Sequence, residues 1–437
     1  MANKTDDIMD DLPSMGVAET FRAISVCRAA GISSLVWGPP GVGKSSMIGE
    51  LPRAFTELGY SEDELEPFEV IIGSISDPTE IMGFPSRSET PKSDGSGETS
   101  DVIEFLPRSW AQRCLDYGAG VVFLDELTTC PPAVQKTMLQ LVFGNKAGDL
   151  ELPKKTYIVA AANPTNTISG GHNLDPALAN RFAHFVMDPS MGQGNEFFLR
   201  AMSNPYQDDW SELYRDIPKV PTPQPEAVVQ KSIAALASYL KSSQAVISPS
   251  GPDNPGSDGF MAYPTRRSWA AVFKMLRYVN PLGSGEELNF ASSMISSLVG
   301  VAHAQRVMQF MAHLDLPDPF QVLKNPEKFP IDKYSRPDQK FAIMTSLTSI
   351  TRNEIKTNPG STQSVDYYLA TVKWAEMLDK DPGSSEIAVL FLSDLIRMFN
   401  GIKAANLETP DPRIEGVSIE KMLAHAKRNL DLFKSLD

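Results

Sequence analysis

Residues 38–46 read Gly38-Pro39-Pro40-Gly41-Val42-Gly43-Lys44-Ser45-Ser46, a glycine-rich loop closed by a lysine and two hydroxyls. The spacing G-x-x-x-x-G-K-[ST] suits one chemistry, the cradling of a nucleoside triphosphate. The glycines let successive backbone N–H groups curl around the β-phosphate, Lys44 reaches the β- and γ-phosphates, and Ser45 offers a hydroxyl to Mg²⁺. A second chemical group ends the apolar run Val121–Leu124, where Asp125 and Glu126 stand side by side. A strand of that kind delivers both carboxylates to the carboxyl edge of a sheet, where α/β sites lie. Asp125 can hold the metal's water shell, and Glu126 can act as general base or orient an attacking water. Asn163 closes the run Val159–Ala162 and either touches the γ-phosphate or its water, or starts an Asn-Pro turn. Arg181 follows Leu174-Asp175-Pro176-Ala177-Leu178-Ala179-Asn180. A lone arginine at a helix end is ordinarily a dipole partner. Coming after the other elements, it reads as an arginine finger that neutralises charge on a γ-phosphate held by a neighbouring subunit.

These groups require a scaffold, and the hydrophobic pattern supplies one. A helix is predicted over about Val17–Ala30, a strand over Ser33–Trp37 running straight into the glycine loop, and a helix from the loop to about Leu58. Further strands are predicted at Phe68–Ile72, Gly120–Leu124, Thr156–Ala162 and Phe182–Met187, with helices around Trp110–Tyr117 and Pro131–Phe143. The run Thr156–Ala162 is apolar without alternation, as in a strand covered on both faces. Strands alternating with helices imply an α/β fold with a largely parallel sheet. The polar stretch 86–101 reads as a mobile loop or hairpin tip. Residues 216–225, with Pro218, Pro221, Pro223 and Pro225, read as a stiff connector, and 247–259 as another loop. Beyond the connector the chain reads as mostly helical. Ile387, Leu390, Phe391, Leu395, Met398 and Ile402 share one helical face, and Ile419, Met422, Leu423, Ala426, Leu430 and Phe433 another, both suited to packing in a bundle.

The segments GPPGVGKS, VVFLDELTTCPPAVQKTMLQLV, VAAANP and LDPALANRF, in that order, resemble the AAA+ ATPases of the MoxR group, related to the dynein-type branch. Asp77–Pro85 resembles the segment after the second strand of that group. The similarity is close over about residues 15–190 and weaker to about 300. It implies a P-loop AAA+ core over 1–215 and an α-helical lid over 216–300; the C-terminal extension over 301–437 resembles no named family and reads as mostly helical from its apolar pattern. The similarity also implies that Lys44 and Ser45 belong to Walker A, Asp125 and Glu126 to Walker B, Asn163 to sensor 1 and Arg181 to the finger. In Tyr263-Pro264-Thr265-Arg266-Arg267-Ser268-Trp269, Arg267 best matches the sensor 2 arginine, with Arg266 the adjacent candidate. Residues 84–107 and 148–155 stand where the branch inserts hairpins that line a ring pore or face a client. Two positions depart from the group. Thr128-Thr129 replaces the usual Asn-Arg, and Gly73-Ser74 stands where many relatives place a polar switch for the catalytic glutamate, a role left without an assigned residue.

Composition narrows the partners. Fifty-four acidic against forty basic residues leave a net charge of −14, whereas a chain that grips phosphate backbones usually presents a basic face. Residues 86–104 hold five acids against two bases, which suits a protein client better than nucleic acid. No apolar run approaches the roughly 20 residues of a membrane span, and the N-terminus lacks a signal-like pattern, so a cytoplasmic protein is expected. Cys27, Cys114 and Cys130 lack zinc-like spacing and read as small buried residues. His172, His184, His303, His313 and His425 likewise lack ligand spacing. The expected activity is Mg-dependent hydrolysis of ATP by a self-assembled ring, a hexamer by resemblance. That resemblance couples hydrolysis to chaperone-like remodelling of a partner, which in this group often carries a von Willebrand factor A-type domain. The alternative is a nucleotide-gated scaffold with little turnover that docks a partner through its C-terminal helices. A DNA-acting motor is the least favoured reading.

Overall fold

The computed structural model describes residues 12–57, 65–91, 99–164, 171–191, 221–243, 262–405 and 412–415. The chain divides into two compact units. The first comprises Met1–Pro223, Ala245–Val279 and Gly285–Arg306, and the second Gln224–Gln244, Asn280–Ser284 and Val307–Asp437.

The first unit is built on six parallel strands: β1 (Ser14–Met15), β2 (Ser33–Trp37), β3 (Phe68–Ile72), β6 (Ala119–Asp125), β9 (Lys155–Ala162) and β10 (Phe182–Met187), in the spatial order β1-β10-β2-β9-β6-β3. Two hairpins stand apart from it, β4 (Phe84–Pro91) with β5 (Thr99–Leu106) and the shorter β7 (Lys146–Ala147) with β8 (Leu150–Glu151). The two strands that carry most of the apolar run, β6 and β9, are buried along nearly their whole length, because helices cover both faces of a parallel sheet. Leu35, Trp37, Val122, Leu124, Ile158, Ala160 and Phe182 join Trp110, Met138 and Leu141 from the covering helices in one core. Register decides the site. Trp37 pairs with Ala162, Leu124 with Ala160 and Ile72 with Asp125, so four strands end level at one edge.

The strands at Ser33–Trp37, Phe68–Ile72 and Phe182–Met187 have the bounds the hydrophobic pattern predicts. The helix expected from the loop to Leu58 is instead two, Lys44–Gly49 and Leu51–Glu57. Pro52 has no N–H to donate to the Ile48 carbonyl, so the first helix stops before it; Leu58 lies outside the described residues. The stretch 86–101 takes the hairpin form, its strands paired from Phe84 opposite Leu106 to Pro91 opposite Thr99. Residues 92–98 of that stretch, residues 216–220, the predicted loop 247–259 and the predicted apolar face Ile419–Phe433 all lie outside the described residues.

The second unit packs helices Glu226–Ser242, Pro337–Thr357, Thr362–Lys380 and Ser385–Ala405 around Leu347, Tyr368, Trp374 and Leu378. The buried Lys340 donates to Asp381 at 2.6 Å and to Ser384 at 3.1 Å, tying the helix Pro337–Thr357 to the turn between the last two. Along Ser385–Ala405, five of the six residues predicted to share the packed face are buried. Leu390 is 53% exposed, because it lies at the edge of the stripe, one position short of Phe391. Among the described residues no helix is long and apolar enough to cross a membrane.

Candidate active site

The loop after β2 is shaped by its glycines. Gly41 and Gly43 adopt φ of 83° and 91°, a region that side-chain-bearing residues rarely enter. Gly43 caps the helix Lys44–Gly49, whose first intrahelical bond runs from Met47 N–H to Gly43 O at 2.9 Å. The N–H groups before Met47 therefore have no helical partner, and together they form an anion-seeking rim.

Lys44 is the electrostatic centre of this rim. It is buried to 7% exposure, and its ammonium donates to Gly38 O at 2.8 Å, Pro39 O at 2.9 Å and Asn163 Oδ1 at 2.8 Å. All three acceptors are neutral, and among the described residues Lys44 forms no ion pair. Burial accordingly pushes its pKa down to about 8, with the Asp125 charge opposing that shift. A buried cation held only by neutral acceptors is a site electrostatically completed by an anion.

Ser45 Oγ donates to Asp125 Oδ2 at 2.8 Å, and Asp125 Oδ1 accepts the Glu126 N–H at 2.8 Å. Hydroxyl and carboxylate thus face each other beside the rim. These hard oxygen donors fit Mg²⁺, which keeps several waters and takes one or two protein oxygens plus those of phosphates. Glu126 sits at φ 56°, unusual for a residue with a side chain. The turn is held open in that conformation by Leu127 N–H to Ala161 O at 3.0 Å and by Thr129, whose hydroxyl donates to Glu126 O at 2.9 Å. The result points the Glu126 carboxylate at Ser74, whose hydroxyl donates to Glu126 Oε2. Gly73 makes this approach possible: a Cβ there would meet Cys130 Cβ at 2.8 Å and the Asp125 and Glu126 carbonyls at 3.2 and 3.1 Å.

Three contributors are therefore ones that sequence reasoning did not assign. Ser74 holds the Glu126 carboxylate, Thr129 holds the Glu126 backbone, and Thr128 donates to Asn163 O at 2.9 Å, fixing the segment that carries the amide. The departures at Gly73-Ser74 and Thr128-Thr129 were the signal, but only strand register shows what each hydroxyl reaches.

Lys44, Ser45, Asp125, Glu126 and Asn163 are thus brought together. Arg181 and Arg267 are brought together elsewhere. The Arg181 guanidinium donates to Ala177 O and lies with its Cζ 4.7 Å from the centroid of the Phe143 ring, while Arg267 Cζ lies 5.8 Å from the same centroid. Among the described residues neither forms a hydrogen bond to the loop 38–46. Arg266 and Arg267 are exposed in the first turn of the helix Arg266–Met275, whose start is fixed by a reciprocal cap between Thr265 and Ser268. Beneath this region Trp37 Nε1 donates to His184 Nδ1 at 3.0 Å, so Nε2 carries the proton toward Ala179 O at 2.8 Å. Burial holds this imidazole neutral, its pKa pushed down to about 4. His184 therefore joins the strand before the loop to the turn before Arg181. The three cysteines are buried, with their thiols pushed up to about 12 chiefly by desolvation, which leaves them unreactive.

The sheet order and the loop define a P-loop α/β domain of the AAA type. Residues 33–182 match the family model described as AAA domain (dynein-related subfamily). A crystal structure of a candidate ATPase from Cytophaga hutchinsonii is similar over 70% of this chain and 92% of that one, with 14% sequence identity and a TM-score of 0.38. No curated protein matches the chain.

Proposed function

We propose that this protein hydrolyses ATP with Mg²⁺ at sites shared between copies of itself in a ring, and uses the cycle to remodel a partner protein. The observation that carries the nucleotide reading is the buried Lys44 ammonium, surrounded by neutral acceptors at the edge where Ser45, Asp125, Glu126 and Asn163 converge. Lys44 and the loop N–H groups bind and orient the phosphates. Ser45 and Asp125 hold the metal, which when bound neutralises charge on the phosphate oxygens. Glu126 accepts the proton of the attacking water, and Asn163 orients that water or the γ-phosphate. Ser74 holds the Glu126 carboxylate away from that task until nucleotide contacts draw it over. Arg181 and Arg267, paired with each other rather than with their own loop, are read as acting on the nucleotide of a neighbouring copy. The hairpin β4–β5 supports the partner reading: Phe84, Ile103 and Leu106 are exposed on it beside Asp101 and Glu104, an apolar and acidic surface suited to protein. A partner with a von Willebrand factor A-type domain is the class that the MoxR-like motifs favour.

The shared-site reading is tested by ATP turnover per subunit against protein concentration, with mass determined in parallel. Turnover is expected to rise steeply as rings form. A low rate independent of assembly would overturn it and favour the gated scaffold.

A second expectation follows from Lys44. With no phosphate its pKa lies near 8, and phosphate oxygens raise it. Below pH 8 the ammonium is already charged, so this group makes binding insensitive to pH. Above pH 8 binding must take up a proton, and affinity is expected to fall by up to about tenfold per pH unit. Calorimetry at pH 9 in two buffers of different ionisation enthalpy should report close to one proton taken up. Equal affinity at pH 7.5 and 9.5 would refute it.

A further inference from the structure

Phe143 is a large aromatic residue, 68% exposed, in the last turn of the helix Pro132–Gly144. Two guanidiniums share its ring, at 4.7 and 5.8 Å from the centroid, both within the range over which a ring face attracts a cation. Among the described residues neither Arg181 nor Arg267 has a carboxylate partner at ion-pair distance. Among the described residues the buried Nε of Arg181 has no hydrogen-bond partner. Desolvation, followed by the Arg267 charge, lowers the Arg181 pKa, so the two cations are held together against their own repulsion.

The backbone around them is clamped into one piece. Asn180 Nδ2 donates to Tyr263 O at 3.2 Å, Thr265 Oγ1 donates to Asn180 Oδ1 at 2.8 Å, and Tyr263 OH donates to Pro176 O at 3.0 Å. The turn carrying Arg181 and the helix start carrying Arg267 therefore cannot part freely. Gln135, two turns back on the Phe143 helix, accepts the Asp175 N–H at 2.9 Å and registers that helix against the same turn. What the clamp leaves undetermined is where two long, mutually repelling side chains point. Among the described residues, the Phe143 ring is the one ring face that both guanidiniums approach.

We propose that Phe143 is a positioning residue: its exposed ring is the shelf on which Arg181 and Arg267 are held side by side, aimed outward at one anion carried by a neighbouring copy of this chain. This rests on the reading of Arg181 as a finger acting between subunits. The ring face supplies the attraction that a carboxylate would otherwise supply, without neutralising either charge, so both remain available to an incoming phosphate. The shelf also joins these arginines to the helix that follows Glu126, so each copy's own Walker B segment sets the aim of the arginines it lends.

The test compares Phe143→Leu, which keeps apolar volume and removes the ring, with Phe143→Trp, which keeps a ring face. Arg181→Ala serves as the control, and kcat and KM for ATP are measured at concentrations where mass shows assembly. The leucine variant is expected to lose about tenfold in kcat with KM changed less than about twofold, and the tryptophan variant to retain most of the rate. Because Phe143 is exposed, folding is not at risk, and a thermal shift on adding ATP checks it. If Arg181→Ala abolishes turnover while Phe143→Leu retains it, the shelf is wrong and the finger stands. If tryptophan fails as leucine does, or leucine weakens assembly while turnover per assembled subunit is unchanged, the shelf is wrong as well. If Arg181→Ala retains full turnover, the finger reading falls and the shelf with it.

Discussion

Arg181→Ala is expected to lower ATP turnover of the assembled protein by about 10³ to 10⁵, while leaving nucleotide binding by the isolated chain nearly unchanged. The asymmetry follows from where the side chain sits. Arg181 makes no hydrogen bond to the loop 38–46 of its own chain; it donates to Ala177 O and rests on Phe143. Removing it takes nothing from the ground-state grip of Lys44, Ser45 and the loop amides. On the proposed reading it removes a cation that meets the γ-phosphate only when two copies come together, and charge on that phosphoryl group grows toward the transition state. Complementation provides the decisive measurement. Arg181→Ala chains mixed with Glu126→Gln chains form some sites in which an intact Glu126 meets an intact Arg181, so activity should return in the mixture although each variant alone is inactive. Failure of the mixture to recover activity, with mixed assemblies demonstrated by mass, would refute a finger working between subunits.

Glu126→Gln is expected to cost about 10² to 10⁴ in turnover while nucleotide affinity is kept. The amide is isosteric, so the φ of 56° and the bonds from Leu127 N–H and the Thr129 hydroxyl that hold the turn are undisturbed. The Ser74 hydroxyl can still donate to the amide oxygen. What is lost, on the proposed reading, is the carboxylate that takes the water's proton. ATP should therefore bind and remain unhydrolysed, and the variant should accumulate as a nucleotide-loaded assembly with a raised melting temperature. A single-turnover experiment with labelled ATP separates the steps: binding amplitude retained, cleavage rate lost. Unchanged cleavage would assign the base elsewhere, and lost binding would show that Glu126 holds phosphate instead.

Much of this site is legible along the chain because its parts are local. A glycine-rich turn followed by lysine and serine has few other uses, and positive φ at Gly41 and Gly43 is a property of residue type. The apolar runs before Gly38, Asp125 and Asn163 announce strands, and a parallel sheet delivers their ends to one edge. Ser74 was not legible in this way. Nothing in Ile72-Gly73-Ser74 says that Ile72 will pair with Asp125, and it is that register, together with the missing side chain at Gly73, that lets the serine reach Glu126. The same holds for Thr128, whose hydroxyl meets the Asn163 carbonyl across two adjacent strands. The split of the helix after the loop was legible in principle, since Pro52 marks it.

Residue types and short spacings thus establish the nucleotide loop, its acidic partner strand and the α/β alternation, because the forces involved act within a few residues: backbone sterics, helix capping and the period of apolar burial. The tertiary structure alone decides which hydroxyl reaches Glu126, that Lys44 is buried among neutral acceptors, and that Arg267 joins Arg181 over Phe143. It also decides that the helix Glu226–Ser242 packs with Pro337–Thr357 in the second unit, whereas Arg266–Met275 belongs to the first. Those outcomes depend on strand register and on contacts between segments far apart in sequence, such as Ser74 and Glu126 at 52 residues or Lys44 and Asn163 at 119. Local patterns do not encode such pairings, because what selects among them is the free energy of closing the whole core.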